Sequence, residues 1–386
     1  MQLELHASEY SVTAEGITIE LLPKEFALLQ FLYRNRGRTF SREQLLDKVW
    51  PLEYPVERTV DDHIYRLRKK LDPMAGVEIK TVRGVGYRLA IQSPKNAAEA
   101  NPTVRDPELH ETMRDLFEKY HQYGQGRSML TLARQQDVLG YELDPFYSAY
   151  VRFVQGDLEW LLNTDEVPLS ERYYSLLLFY TLTGNPREKL ALCEQVLEKK
   201  LLSPAQHTEM EILNILDGYA LAGKPELALE RLKVSYAVIA EPDYESFIPH
   251  TAISELFVHL VAGTDDRELE RMAEAIETGI LTAKPYLREL GSYKVVKGLW
   301  LLRRRAWREA EKLLDEGLQV LDRSGFVPMR LYALHRITHY CRLFPPGGPS
   351  LQQKYTDLFE EEQERIGLTK LLGQLEATML KELNRI

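Results

Sequence analysis

Between Arg58 and Leu71 the chain reads RTVDDHIYRLRKKL, which is the pattern of an amphipathic helix. Its apolar residues fall at positions i, i+4, i+7 and i+11, so they share one stripe of a helix. They are Val60, Ile64, Leu67 and Leu71. The opposite arc carries Arg58, Thr59, Asp62, Tyr65, Arg66 and Lys69. A helix fits the major groove of DNA, where arginine can bond two acceptors of guanine. The pattern therefore predicts a recognition helix, with a solvated charged face as the alternative.

The sequence on both sides of this segment predicts two more helices and a hairpin. Upstream, Pro23 can begin a helix because the first helical position needs no donor. Ser41-Arg-Glu-Gln44 is a capping-box pattern that opens a second helix. Downstream, residues 77–82 and 87–90 predict two strands, joined by a glycine-rich turn that begins at Arg83. Three helices and a basic hairpin predict a winged helix-turn-helix, an α+β fold whose third helix enters the major groove.

Several segments of this region match the motifs of a known family. They are Leu22-Pro-Lys-Glu-Phe26, Ser41-Arg-Glu-Gln-Leu45, Arg66-Leu-Arg-Lys-Lys-Leu-Asp72 and Thr81-Val-Arg-Gly-Val-Gly-Tyr-Arg88. Together they resemble the OmpR/PhoB-type winged-helix DNA-binding domain. The resemblance implies a small antiparallel sheet ahead of the first helix, formed by Leu3–His6, Tyr10–Thr13 and Ile17–Glu20.

The resemblance also implies which residues contact DNA. It places Arg58, Thr59 and Arg68 at the DNA backbone and Arg66 at the bases. It places Thr81 and Arg83 in the wing. The complete predicted DNA-binding set is Arg58, Thr59, Asp62, His63, Tyr65, Arg66, Arg68, Lys69, Thr81 and Arg83. The loop at residues 50–57 would lie where family members contact RNA polymerase.

Two positions of the recognition helix depart from the family pattern. Asp62 occupies a position that is often small and apolar, and Tyr65 occupies one that is often basic. A carboxylate cannot approach a phosphate, but it can accept a hydrogen bond from cytosine N4. These departures leave the preferred DNA sequence open.

The charge of the chain is unevenly distributed. The net charge of −9 is unusual for a DNA-binding protein. However, residues 1–95 hold 15 Lys and Arg against 13 Asp and Glu, whereas the rest holds 34 against 45. Because the first part is only mildly basic, we expect its DNA affinity to depend on dimerisation or paired sites.

The composition predicts a cytoplasmic protein without membrane contact. Its two cysteines, Cys193 and Cys341, are too few for a disulfide framework. No signal peptide is recognisable, and no apolar run reaches about 18 residues. Residues 93–107 contain few large apolar side chains and read as a linker, which predicts domains at 1–92 and 108–386. No phosphoaccepting receiver pattern precedes the first domain, so we do not expect control by aspartyl phosphorylation within the chain.

From Glu108 onward the pattern is helical throughout. Turn signals recur about every 40 residues, a spacing typical of helical repeats. They lie near Gly184, Gly223, Gly263, Arg305 and Gly347. An apolar helix precedes each turn, and a second helix follows each of the first four. Helix pairs at a regular spacing indicate an all-α solenoid. Leu351–Arg365 and Leu368–Arg385 are expected to cap it.

Two segments, Gly218–Glu230 and Gly298–Leu314, resemble tetratricopeptide repeats (TPR), although their spacing is longer than the usual one of about 34 residues. In a solenoid the first helices line a concave groove, which can hold a signal peptide, a small ligand or a partner protein. The candidate lining residues are Tyr174, Asn214, Tyr219, Tyr293, Lys294, Lys297 and Trp300. Aromatic residues at helical spacing also occur in ordinary cores, and this alternative stays open.

Three other patterns are weak candidates for chemistry. Gly218–Lys224 fits the start of a phosphate-binding loop, but Pro225 stands where a hydroxyl must meet magnesium. His335 and His339 have a zinc-ligand spacing, yet no further ligand or general base accompanies them. Cys193 has no neighbouring histidine and reads as a structural thiol. We therefore expect no metal, no cofactor and no enzymatic activity.

Two functions remain. In the first, the chain is a one-component bacterial transcription regulator that binds promoter DNA as a homodimer, while its helical domain binds a signal. This layout resembles the antibiotic-pathway activators that join such a winged helix to a TPR-like domain. In the second, the chain is a protein-interaction scaffold and the winged helix docks protein or only assists DNA binding. A scaffold has no need of the exposed arginines, which favours the first function.

Overall fold

The computed structural model describes residues 3–6, 9–14, 16–35, 39–50, 56–74, 76–82, 85–91, 102–345 and 349–384 of the 386-residue chain. The chain divides into two compact units. The first comprises residues 1–110 and 136–142, and the second comprises residues 111–135 and 143–386. The predicted linker, residues 93–107, lies largely outside the described residues, so the domain boundaries stay a prediction.

The first unit begins with a small antiparallel sheet. Its strands are β1 (Glu4–His6), β2 (Ser11–Ala14) and β3 (Ile17–Glu20), and β2 lies in the centre. The sheet predicted from the resemblance is thus present. The second strand begins one residue later than predicted because Tyr10 has a φ of 49°, which is left-handed backbone and belongs to the turn.

Three helices of the described residues follow this sheet: α1 (Pro23–Arg34), α2 (Arg42–Val49) and α3 (Arg58–Leu71). The predicted capping box of α2 is confirmed. The Ser41 hydroxyl accepts from the backbone N–H of Gln44, and the Gln44 side chain accepts from the N–H of Ser41. Leu22 cannot cap α1 with its side chain, so only the Glu25 carboxylate accepts there, from the N–H of Leu22 at 2.9 Å.

A buried ion pair joins α1 to α3. The Glu25 side chain is almost fully buried, and Lys70 lies 2.8 Å from its carboxylate. Burial alone would raise the pKa of Glu25. The hydrogen bonds from Lys70 and from the N–H of Leu22, with the charge of Lys70, outweigh burial and lower it. The pair fixes the rotation of α3 about its axis and so fixes which face stays exposed.

A two-stranded hairpin completes the first unit. It consists of β4 (Val77–Val82) and β5 (Gly86–Ile91). Phe40 and Tyr87 exchange two backbone hydrogen bonds of 2.9 Å, which attach β5 to the segment before α2. Gly86 is required for this approach, because a Cβ atom there would lie 2.0 Å from the carbonyl oxygen of Phe40. The hairpin is therefore held against the helices at its tip end.

After the hairpin, the described residues form helices only, as predicted. In chain order they are a 3-10 turn (Pro102–Arg105), α4 (Pro107–Gln122), α5 (Gly126–Arg134), α6 (Gln136–Leu139), α7 (Pro145–Gln155), α8 (Leu158–Asn163), α9 (Leu169–Thr181), α10 (Pro186–Glu198), α11 (Pro204–Glu209), a π-helical segment (Met210–Asn214), α12 (Ile215–Leu221), α13 (Pro225–Ile239), a 3-10 turn (Pro242–Phe247), α14 (Ile248–Val261), α15 (Asp266–Glu274), a π-helical segment (Ala275–Ile280), α16 (Leu281–Ala283), α17 (Leu287–Arg303), α18 (Trp307–Ser324), α19 (Val327–Leu343), α20 (Pro349–Arg365) and α21 (Leu368–Leu383). In the part of the chain that the structure covers, none of them has the length and apolar character needed to cross a membrane.

The second unit contains the predicted helix pairs. The pairs α9–α10, α12–α13, α14–α15 and α17–α18 pack against each other. The turns between them use left-handed backbone at Gly184, Gly223, Gly263 and Arg305. The turn predicted near Gly347 lies outside the described residues. The assignment of these pairs as TPR stays a prediction.

Helix α19 packs against several of the first helices, which were predicted to line a groove. It packs against α7, α12, α17 and α18, and its Arg336 lies over the ring of Phe257 in α14. The first helices therefore do not line an open groove where α19 lies across them. Most of α19 is buried, and its buried residues include the charged side chain of Arg336 as well as His335 and His339.

Candidate nucleic-acid interface

The third helix presents one face to the core and one to solvent, as its sequence predicts. Val60, Ile64, Leu67 and Leu71 are at most 1% exposed and belong to the core of the first unit. The opposite face is formed by exposed side chains. They are Arg58, Asp62, Tyr65, Arg66 and Lys69. Because the four buried side chains fix the orientation of the helix, the opposite face of α3 points to solvent.

The exposed face carries cations that have no partner within the protein. In the described part of the chain, the side chains of Arg66 and Lys69 make no hydrogen bond and no ion pair. Tyr65, beside them, is 68% exposed. A helix of this sort can direct two positive charges, a phenol and the Asp62 carboxylate at a ligand without first breaking internal bonds. Phosphates and base edges are ligands with matching acceptors and donors.

Arg68 has a different role from its neighbours. Its Nε donates to the carbonyl of Ile79 at 2.7 Å, and its guanidinium also donates to the hydroxyl of Thr81 at 2.7 Å. The resemblance implied that Arg68 and Thr81 contact DNA. In this structure they bond to each other, and Arg68 thereby fixes the hairpin relative to α3. A DNA contact by either side chain stays a prediction.

A cluster that the sequence did not reveal joins α2, α3 and β5. The Asp61 carboxylate accepts from Arg42 Nε at 2.7 Å and from the Tyr87 hydroxyl at 2.6 Å. Burial would raise the pKa of Asp61, but the hydrogen bonds from Tyr87 and Arg42 lower it overall. The Tyr87 ring also lies between two guanidinium groups, those of Arg42 and Arg68. Arg42 and Tyr87 both lie inside the family motifs, which could have marked them as important. Their positions in the sequence do not, however, predict that they contact each other or Asp61.

Two further predicted residues are only partly exposed. The Nδ1–H of His63 donates to the carbonyl of Thr59 at 2.8 Å, and the His63 ring packs edge-on against Trp50. Both side chains lie on the flank of α3, between the buried stripe and the exposed face. Arg83 and residues 51–55 of the predicted polymerase loop lie outside the described residues.

The Arg68 contacts allow a direct test of how the hairpin is held. We expect Arg68→Ala to lower the stability of the first unit by about 1–2 kcal/mol, because two hydrogen bonds of a charged donor are lost. Amide hydrogen exchange, followed by mass spectrometry on peptides from β4 and β5, should accelerate. Lys69→Ala is the control, since Lys69 is exposed and bonds to nothing in the described part of the chain. Equal exchange in both variants would show that Arg68 does not hold the hairpin.

Known proteins resemble this part of the chain. Residues 16–89 match the family described as transcriptional regulatory protein, C terminal. The sensory transduction protein RegX3 of Mycobacterium leprae is 43% identical over 90 residues, which cover 22% of this chain and 46% of that protein. The phosphate regulon transcriptional regulatory protein PhoB of Pseudomonas aeruginosa is 45% identical over 92 residues, covering 24% and 40%. The N-terminal domain is an OmpR/PhoB-type winged helix.

The likeness is confined to this domain. The chain spans less than half the length of the curated relatives it matches. A crystal structure of the DNA-binding domain of Bacillus subtilis CssR is 37% identical and covers 23% of this chain and 99% of that domain, with a TM-score of 0.21. In this domain α3 is the third helix, and β4 and β5 form the hairpin that follows it.

The candidate groove residues of the second unit are engaged in bonds within that unit. Tyr174, Tyr219, Tyr293 and Trp300 are at most 7% exposed. Their polar atoms pair with Asn214, Glu194, Glu277 and Asp266 respectively. Lys294 and Lys297 form ion pairs with Glu316 and Glu277, both 2.6 Å long. Several of these bonds join a first helix to the second helix of the preceding pair, and a binding role for the set stays a prediction.

The remaining chemical candidates lie in the core. His335 and His339 are buried with ring centroids 4.1 Å apart. Within the described residues, no group of three His, Cys, Asp or Glu side chains could hold a metal ion. Burial raises the pKa of the Cys193 thiol to about 12 and that of Cys341 to about 11. Both thiols therefore stay protonated near neutral pH, which suits a structural role.

Proposed function

We propose that the protein is a bacterial, cytoplasmic transcription regulator that binds promoter DNA through its winged helix. In this proposal α3 enters the major groove and the wing approaches the adjacent minor groove. The observation that carries the proposal is the exposed face of α3, where Arg66 and Lys69 have no partner among the described residues and lie beside Asp62 and Tyr65. The match of residues 16–89 to a family of transcriptional regulatory proteins supports it.

We further propose that the helical unit receives a signal and assists dimerisation. The first unit carries little excess positive charge, so the electrostatic part of the DNA affinity of one copy is small. Two copies on neighbouring half-sites provide the missing affinity. Contact between residues 50–57 and RNA polymerase belongs to the same proposal and rests on the family resemblance.

The test is selection of DNA by the full chain from a random pool of short duplexes. We expect a common sequence to be enriched, and to bind about 10³-fold tighter than unselected duplexes at physiological salt. If two copies bind together, the enriched sequence should contain two half-sites about one helical turn apart. The logarithm of the affinity should fall linearly with the logarithm of the salt concentration.

A control variant accompanies this selection. Arg308→Ala removes one exposed arginine from α18 in the second unit and should enrich the same sequence. Failure of the wild-type chain to enrich any sequence would contradict the proposal and favour the scaffold function.

A further inference from the structure

The second unit contains a cavity of about 80 Å³ between α9, α10, α12 and α19. Most of its wall is apolar and includes the rings of two phenylalanines and two flexible methionines. These side chains are Phe153, Phe179, Leu182, Leu190, Met210 and Met329. Such a wall accommodates an apolar body, and methionine lets it adapt to shape.

Polar groups without partners gather on this wall. In the described part of the chain, both ring nitrogens of His335 are buried and bond to nothing. His335 is 3% exposed and lines the cavity. Asp217 also lines it; its Oδ2 accepts from Arg336 and the phenol of Tyr332 lies near the carboxylate, but within the described residues its buried Oδ1 makes no hydrogen bond. Buried polar atoms in proteins nearly always have a partner, so these atoms require one. A molecule in the cavity would supply it.

The charges at this wall cancel. The Asp217 carboxylate is balanced by the Arg336 guanidinium, and both side chains are at most 3% exposed. Burial lowers the pKa of His335, and it lowers that of His250, another wall residue, to about 4. Both imidazoles are therefore neutral near pH 7. Lys189 also lines the cavity; its ammonium lies 3.4 Å from the ring centroid of Tyr180, and the nearby carboxylates of Glu376 and Glu188 oppose its charge.

The volume limits the size of the ligand. It suffices for several water molecules or for one small organic molecule, and it is below the range of drug-sized pockets. A charged ligand would lose its hydration without gaining a net opposite charge. A neutral hydroxyl can donate to Asp217 Oδ1 or accept from a ring N–H of His335.

We propose that this cavity binds a small uncharged molecule with an apolar ring or short alkyl body and one hydroxyl or amide group, and that it is the signal site of the regulator. The binding part of this proposal stands without DNA. Only the signalling part rests on the proposed function.

Binding is tested on the full chain with four probes of similar size. Phenol is the neutral hydroxyl probe, toluene replaces its hydroxyl with a methyl group, and benzoate and benzylammonium carry opposite charges. We expect phenol to give a saturable rise in the thermal unfolding midpoint and to bind at least about tenfold tighter than toluene, because it pairs with a buried carboxylate. The two ions should give no saturable shift.

Matched variants locate the site. Gly218 lies on the wall, and a Cβ there would meet only Leu190 Cδ1, at 3.6 Å, so the methyl groups of Gly218→Val are expected to occupy cavity space. Gly373→Val is the control, since nothing lies within 4 Å of its Cβ position on α21. Phenol binding should be lost in the first variant and retained in the second. In His335→Phe, which keeps a ring but removes both nitrogens, the preference for phenol over toluene should fall, because only the Asp217 carboxylate is left to pair with the hydroxyl.

Any of three results would overturn the binding proposal: no saturable effect of phenol, equal binding of phenol and toluene, or phenol binding that persists in Gly218→Val. The first would mean that only water fills the cavity. The signalling part is tested by DNA affinity with and without phenol, where we expect a change of about 5- to 150-fold. Unchanged affinity would overturn that part. A chain that binds phenol but no DNA would instead contradict the proposed function.

Discussion

Replacing Arg336 with methionine is expected to lower the free energy of unfolding of the second unit by about 3–5 kcal/mol. Arg336 and Asp217 are 119 residues apart in the chain and form a pair that is at most 3% exposed. Without the guanidinium, the carboxylate stays buried and has no compensating charge. The change is measured as a shift of the urea unfolding midpoint, followed by circular dichroism.

The control for this prediction removes both charges. Asp217→Leu combined with Arg336→Met replaces the ion pair by apolar side chains of similar size, so it should recover most of the lost stability. Arg308→Ala, which removes an exposed arginine from α18, should change the midpoint little. If the double variant is no more stable than Arg336→Met alone, the loss has another cause than an unpaired charge.

The second large effect concerns DNA affinity. Arg66→Ala combined with Lys69→Ala is expected to weaken binding of a selected duplex by about 10²-fold or more. Loss of a bidentate contact to a base costs about 1–3 kcal/mol, and loss of a phosphate contact reduces the salt slope by about 0.9. Both side chains are exposed and lack internal bonds in the described residues, so the fold should be unaffected. Fluorescence anisotropy over a range of salt concentrations measures both quantities.

The matched control removes the same number of positive charges from a different part of the chain. Arg308→Ala combined with Lys233→Ala removes one arginine and one lysine from exposed positions of the second unit. Its affinity should stay within about twofold of the wild type, because distant exposed charges are screened. Equal losses in both double variants would mean that net charge, and not the face of α3, governs binding.

Local patterns in the sequence predicted the parts of the fold that local contacts determine. The apolar stripe of α3 gives the helix its bounds and its buried face, because residues at i, i+4 and i+7 necessarily lie together. The Ser41 capping box and the turn glycines act over three or four residues, so the sequence alone predicts where they begin a helix or form a turn. The exposed face of α3 follows from the buried one.

Contacts between distant segments were not predictable in this way. Helical periodicity tells which face of α19 is apolar, but not which helices will cover it. The same limit applies to Asp61, which lies beside the recognition face yet bonds to Arg42 and Tyr87 from two other elements. Arg68 was predicted as a DNA contact from the family resemblance, and its bonds to Ile79 and Thr81 depend on the hairpin being placed beside α3.

The account's central claim is that the exposed face of α3 reads base pairs, and base preference measures this most directly. The wild-type chain and Arg66→Ala are each used to select duplexes from the same random pool, and the enriched sequences are compared position by position. We expect the variant to lose its preference at one base pair of each half-site while the other positions are unchanged. Identical base preferences for both proteins would contradict the claim that Arg66 contacts bases.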